Sequence, residues 1–188
     1  MSLGCNLNCE YCRIAQSKHN YEVAALEQNK NIQALKDGTY QKNILKVLNR
    51  LNADPKQIEV LSFWGQEPTL TFEYFTENMR SWLSAFPNVT KFDFSTNGMA
   101  NADKIVEFCK KIEQYIDHPA TVDIQFSYDG ETSTNDIRGG NSETIKQTIT
   151  YVIENLKAYP FKLLNFDMCL HGVLSYKMLD ELNTIGKI

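Results

Sequence analysis

Apolar positions recur along this chain with two alternating periods. From residue 58 to 64, IEVLSFW is a nearly continuous apolar run between Pro55 and Gly65, the pattern of a strand covered on both faces. Phe75, Met79, Trp82, Leu83 and Phe86 then return at helical spacing, with Thr71 placed to cap that helix. KFDFST (91–96) predicts the next strand, ending at Asn97-Gly98, and Ile105, Cys109, Ile112 and Ile116 form one helical stripe. TVDIQFSYDG (121–130) reads as strand and turn, Ile145, Ile149, Val152 and Leu156 stripe another helix, and LNFDMCLHGVLS (164–175) is a strand before a last helical segment. Upstream, residues from about 20 to 52 read as mostly helix, broken near Asp37-Gly38, with Ile44, Leu48 and Leu51 on one face. Strands alternating with helices of this length predict an α/β fold: a parallel sheet with helices packed outside it.

The alternation supplies about four strands, too few to close a βα barrel. The expected architecture is therefore an open, incomplete barrel forming one domain over residues 1–188, with no low-complexity linker to divide it. Both ends are abrupt. No strand precedes the first loop and the chain stops a few residues after Leu182, so the chain reads as a fragment without its first strand and its C-terminal part. Met1 to Leu3 fits an added leader.

A net charge of −4 offers no electrostatic footprint for nucleic acid or an anionic membrane, which lowers both as partners. No run approaches the roughly 18 apolar residues of a spanning helix, and no basic segment followed by an apolar one opens the chain, so a cytoplasmic protein is expected. Five cysteines are an odd number, and three of them crowd into CNLNCEYC at Cys5, Cys9 and Cys12. That fits a secreted disulfide framework poorly and a metal better. Three thiolates can hold a 4Fe-4S cluster by three irons and leave the fourth iron open; a zinc tetrahedron would need a further ligand, for which His19 and Cys169 are the obvious candidates. On the loop alone both metals stay open. Asn6, Asn8 and Glu10 mark it as a polar loop rather than a packed face. Cys109 and Cys169 fall in apolar stripes as core residues, His19 and His118 read as exposed, and His171 as a core or barrel-lumen residue.

The cysteine loop carries an aromatic residue just before its last thiol, and later strands end in WGQEPTL, FSTNGM and FSYDG, with Arg138 following in TSTNDIRGG. Alone, each is an ordinary turn or a solvated charge. Their order, each at the C-terminal end of the proper strand, resembles the radical S-adenosylmethionine (radical SAM) superfamily, and their detail is similar to the branch of anaerobic sulfatase maturases and peptide-modifying enzymes. The resemblance implies a partial βα barrel, of six units in its full form, in which Cys5, Cys9 and Cys12 ligate a 4Fe-4S cluster and the open iron binds S-adenosylmethionine. It places Tyr11 near the adenine and the backbone of Gly65, Gln66, Glu67 and Pro68 at the methionine amino group. It sets Ser127 at the ribose or carboxylate and Arg138 at the carboxylate, with Asn97 and Asp129 shaping their turns. Gln66 stands where the family has a second glycine. The implied chemistry is reductive cleavage of S-adenosylmethionine to a 5′-deoxyadenosyl radical that abstracts hydrogen from a substrate, expected to be a peptide or protein. The electron would come from a donor such as flavodoxin or ferredoxin. No cysteine-rich extension for further clusters is present, and the fragment can be inactive alone. A non-catalytic binding module stabilised by zinc or an iron-sulfur cluster is the alternative.

Overall fold

The computed structural model describes residues 5–12, 21–64, 67–99, 101–173, 176–177 and 179. A helical hairpin comes first, α1 (Tyr21–Lys36) and α2 (Thr39–Arg50), and the predicted break falls where Gly38 takes φ 73°, a left-handed conformation that glycine adopts without strain. Then follow β1 (Val60–Phe63), α3 (Phe72–Glu77), α4 (Met79–Ala85), β2 (Lys91–Thr96) and α5 (Ala102–Tyr115). The described chain continues with β3 (Ala120–Ser127), α6 (Glu131–Asp136), α7 (Ser142–Ala158) and β4 (Leu164–His171). All neighbouring strands are parallel, in the order β1-β2-β3-β4. Among the described residues the sheet is open at both edges, an α/β architecture consistent with a partial barrel.

Strict alternation sorts the two faces of the sheet. Phe92, Phe94 and Thr96 of β2 and Ala120, Val122, Ile124 and Phe126 of β3 are buried toward the helices, while the residues between them are partly open. Beneath the sheet Phe72 stacks on Phe108 with ring centroids 4.4 Å apart, and Phe63 and Phe94 meet this pair edge-on. Rings that are fully buried in this way each contribute roughly 1.5–3 kcal/mol of burial. The stripes predicted for α5 and α7 face this core: Ile105, Cys109, Ile112 and Val152 are fully buried in it, and Ile145, also fully buried, packs beside Gly98.

Several expectations need correction. The first strand is shorter than 58–64 and is not covered on both faces, because β1 is an edge strand whose Val60 stays exposed. The helix after it is two helices; the side chain of Asn78, at the junction, donates to Tyr74 O at 3.0 Å and to Leu35 O at 3.3 Å. Thr71 does not cap α3, since its hydroxyl donates back to Pro68 O at 2.9 Å. Cys169 is exposed rather than core: it lies on the open face of β4, in register with Gln125. His118 is only partly exposed and is held by Asp117 and Val89 O. Among the described residues no helix is long and apolar enough to cross a membrane.

Candidate functional site

The sheet delivers its chemistry to the C-terminal ends of the strands, the edge at which βα folds assemble sites. After β2 the chain turns at Asn97-Gly98: Asn97 Oδ1 accepts from Met99 N at 2.9 Å, Thr96 Oγ1 accepts from Gly98 N at 3.1 Å, and Gly98 takes φ 68°. The turn leaves the Asn97 amide free to reach the cysteine loop. Its Nδ2 donates to Asn6 Oδ1 at 2.7 Å and approaches Cys5 Sγ at 3.7 Å.

Below this turn lies Glu67, the carboxylate of the WGQEPTL segment. It is 1% exposed and accepts four hydrogen bonds: from Thr69 N (3.2 Å), Thr69 Oγ1 (2.6 Å), Thr96 Oγ1 (2.8 Å) and Asn97 N (2.6 Å). Burial pushes its pKa up, and these four donors only partly offset that. Glu67 thus joins the end of β2 to the start of the segment after β1. Pro68, also buried, begins the short 3-10 turn that follows. Gly65 and Gln66 lie outside the described residues.

The cysteine loop closes on itself and on the sheet. Cys12 N donates to Cys9 O at 3.0 Å, Leu7 N approaches Cys5 Sγ at 3.5 Å, and Glu10 N donates to Ile137 O at 2.9 Å. Cys5 is exposed, Cys12 half-buried and Cys9 buried. Burial raises the pKa of Cys5 and Cys9 above the ordinary thiol value; the mutual charges of the three thiols and Glu67 add to this, while the Arg138 charge lowers Cys9. The shift favours the protonated thiols at Cys5 and Cys9, whose protons ligation must displace. Among the described residues no group of three His, Cys, Asp or Glu is gathered tightly enough for a single metal ion.

Tyr11, between the last two cysteines, reaches across to the loop after β3. Its hydroxyl donates to Asp129 Oδ2 at 2.6 Å, and the Arg138 guanidinium lies 5.6 Å from its ring centroid. Arg138 also grips Asp129 through two nitrogens, Nε to Oδ2 at 3.1 Å and Nη2 to Oδ1 at 2.9 Å. Burial opposes ionisation of Asp129, yet donation from Arg138, Tyr11 and Val173 N outweighs it and holds its pKa below the ordinary aspartate value. Burial likewise opposes the charge of Arg138, and Asp129 more than restores it.

Tyr11 and Arg138 form part of the wall of an open cavity of about 290 Å³, which Trp64, Ser95, Ser127, His171, Gly172 and Val173 complete. This volume falls just short of the ~300–1,000 Å³ typical of small-molecule pockets. The hydroxyls of Ser95 and Ser127 sit 3.3 Å apart, and Trp64 Nε1 donates to Asp93 Oδ1 at 3.0 Å. Of the residues singled out in the sequence, Tyr11, Ser127 and Arg138 meet at this cavity, while Asn97 and Glu67 meet beside Cys5. Arg138 is not an unengaged cation, because Asp129 already occupies one edge of it.

Trp64, Ser95, Gly172 and Val173 were missed in the sequence. Each sits at or just beyond a strand's C-terminal end, so the signal that could have found them was position along the strand rather than residue type. A family model described as a 4Fe-4S single cluster domain matches residues 2–146. No curated protein and no solved structure matches the chain.

Proposed function

The chain belongs to the family of 4Fe-4S single cluster domains, and on that premise we propose that it is a radical S-adenosylmethionine enzyme whose cluster is held by Cys5, Cys9 and Cys12. The observation that carries this reading is the adjacency of the cysteine loop to the strand-end cavity: Tyr11 belongs to both. The donor set fits the cluster. Three thiols of one short loop lie within reach of one another's charge, and the Leu7 and Asn97 N–H groups point at Cys5 Sγ, as donors to a ligating sulfur should. When bound, a reduced cluster beside S-adenosylmethionine supplies one-electron cleavage of the sulfonium S–C5′ bond, which yields methionine and, after hydrogen is taken from a substrate, 5′-deoxyadenosine.

The protein's own residues hold and orient. Arg138 offers Nη1, the nitrogen that Asp129 does not engage, to a carboxylate in the cavity. Ser127 and Ser95 offer hydroxyls to a ribose or carboxylate, and Tyr11 and Trp64 give flat apolar surface against which a nucleobase can exclude water. Asn97 steadies the loop at Cys5, and Glu67 steadies Asn97. A peptide or protein is the proposed substrate, and a flavodoxin- or ferredoxin-type donor the proposed source of electrons.

The test is anaerobic reconstitution with iron and sulfide, followed by reduction in the presence of S-adenosylmethionine. Wild-type protein should bind close to four irons per chain, the content of one such cluster, and form 5′-deoxyadenosine. Alanine at Cys5, Cys9 and Cys12 together should abolish both. Unchanged iron in that triple variant refutes the ligand assignment; iron without 5′-deoxyadenosine or S-adenosylmethionine binding leaves a metal-stabilised binding module.

A further inference from the structure

The buried carboxylate of Asp129 is used four times and by three separate stretches of chain. Oδ1 accepts from Arg138 Nη2 (2.9 Å) and from Val173 N (2.7 Å); Oδ2 accepts from Tyr11 OH (2.6 Å) and from Arg138 Nε (3.1 Å). The residue is 0% exposed, and its own N–H is tied to Thr134 Oγ1 at 3.1 Å. Tyr11 stands inside the turn that Cys12 N closes on Cys9 O, so holding Tyr11 holds two of the three thiols. Val173 N comes close because Gly172 precedes it: a Cβ on Gly172 would lie 2.6 Å from Tyr128 O and 3.2 Å from Asp129 Oδ1.

We propose that Asp129 is the positioning residue of the site: its carboxylate latches the cysteine loop, through Tyr11, to the cavity wall formed by Arg138 and the end of β4. Both its oxygens are taken up by Tyr11, Arg138 and Val173, so it acts through them. Because both its oxygens are filled, no neutral side chain of the same shape satisfies the same four donors: an amide carries one acceptor oxygen, and its NH2 group must face a donor. The latch also aims Arg138, since a two-point contact fixes the plane of the guanidinium where a single one leaves it free to turn. This inference rests on the reading of the cysteine loop as the cradle of a cluster, but the latch itself is present in the chain without metal.

The iron-free protein therefore gives a test that does not depend on cluster loading. Cys9 and Cys109 are both buried, Cys9 under the latch and Cys109 in the helix-facing core. Their alkylation by iodoacetamide, followed peptide by peptide in a mass spectrometer, reports local and global opening side by side. In Asp129→Asn and in Tyr11→Phe, Cys9 should react on the order of tenfold faster, the effect of losing one charge-assisted hydrogen bond, with Cys109 unchanged. Cys9 reacting at the wild-type rate in both variants overturns the proposal. If Asp129→Asn accelerates Cys109 as well, the fold as a whole has loosened; Tyr11→Phe, which removes a single oxygen, then decides by the same criterion. In reconstituted protein, both variants should lose iron to a chelator faster than wild type and change the electron paramagnetic resonance signal of the reduced cluster. A wild-type protein that takes up no iron defeats the cluster reading and leaves the Cys9 result standing.

Discussion

Glu67 permits a prediction in which both sign and size follow from the contacts. In Glu67→Gln the shape is kept but one acceptor oxygen becomes a donor. If the amide oxygen takes the place of Oε1, it serves Thr69 N, Thr69 Oγ1 and Thr96 Oγ1, and the NH2 group then faces Asn97 N, which donates to Oε2 at 2.6 Å. If the amide is flipped, the threonine hydroxyls can reverse, but Thr69 N cannot. Either way one buried backbone N–H is orphaned, at a cost of about 1–3 kcal/mol. That corresponds to a fall in Tm of roughly 2–12 °C for a domain of this size. The loss depends on pH. Burial raises the folded pKa of Glu67 above the ordinary 4.5, so the stability it contributes is fully present below that value and is lost as pH rises through the folded pKa. Glutamine does not titrate. The stability difference between wild type and Glu67→Gln should therefore be largest near pH 4.5 and shrink toward neutrality, with the other carboxylates cancelling because both proteins share them. Urea unfolding at a series of pH values from 4.5 to 8, read by circular dichroism, measures it. A difference that stays constant or grows with pH refutes the account of Glu67 as a carboxylate whose burial outweighs its hydrogen bonds.

Two further outcomes follow from the cavity. Gly172→Ala must push its new Cβ away from Tyr128 O, a backbone atom that cannot swing aside, so it should cost about 1–3 kcal/mol in chemical denaturation and weaken whatever binds at the end of β4. Trp64 is half exposed on the cavity wall whereas Trp82 is buried in the core, so S-adenosylmethionine bound to the reconstituted protein should quench part of the indole fluorescence in wild type and none of it in Trp64→Phe.

The layered architecture was legible because its signals are local. The alternation in KFDFST and the stripe of Ile105, Cys109 and Ile112 each need only their own segment to be read, and the observed strands and helices follow them closely. What went unread depends on partners distant in sequence. Cys169 falls in an apolar run, but its register with Gln125 puts it on the open face of β4, and exposure on this strand extends to Met168 and Leu170 of the opposite face. Asp129 reads as half of an Asp-Gly turn, and indeed Gly130 takes φ 85°. Its larger part, four accepted hydrogen bonds, comes from Tyr11, Arg138 and Val173, of which Tyr11 lies 118 positions away. The partner of Arg138 was hidden for the same reason: the carboxylate of Asp129 beside it is visible only in three dimensions.

The open face of the sheet has a lateral row in which Ser62, Asp93, Asp123 and Asp167 stand side by side on the four strands. None of these side chains packs against the helices, because the pleat sends their neighbours Phe92, Phe94, Val122 and Ile124 to that side. Substitutions at Ser62 and Asp167 should thus be close to neutral for folding, while those at Asp93 and Asp123 give up only the contacts to Trp64 and Lys91. A lineage can change the charge and size of what its open face admits, one strand at a time, without having to rebuild the framework that keeps the cysteine loop in place.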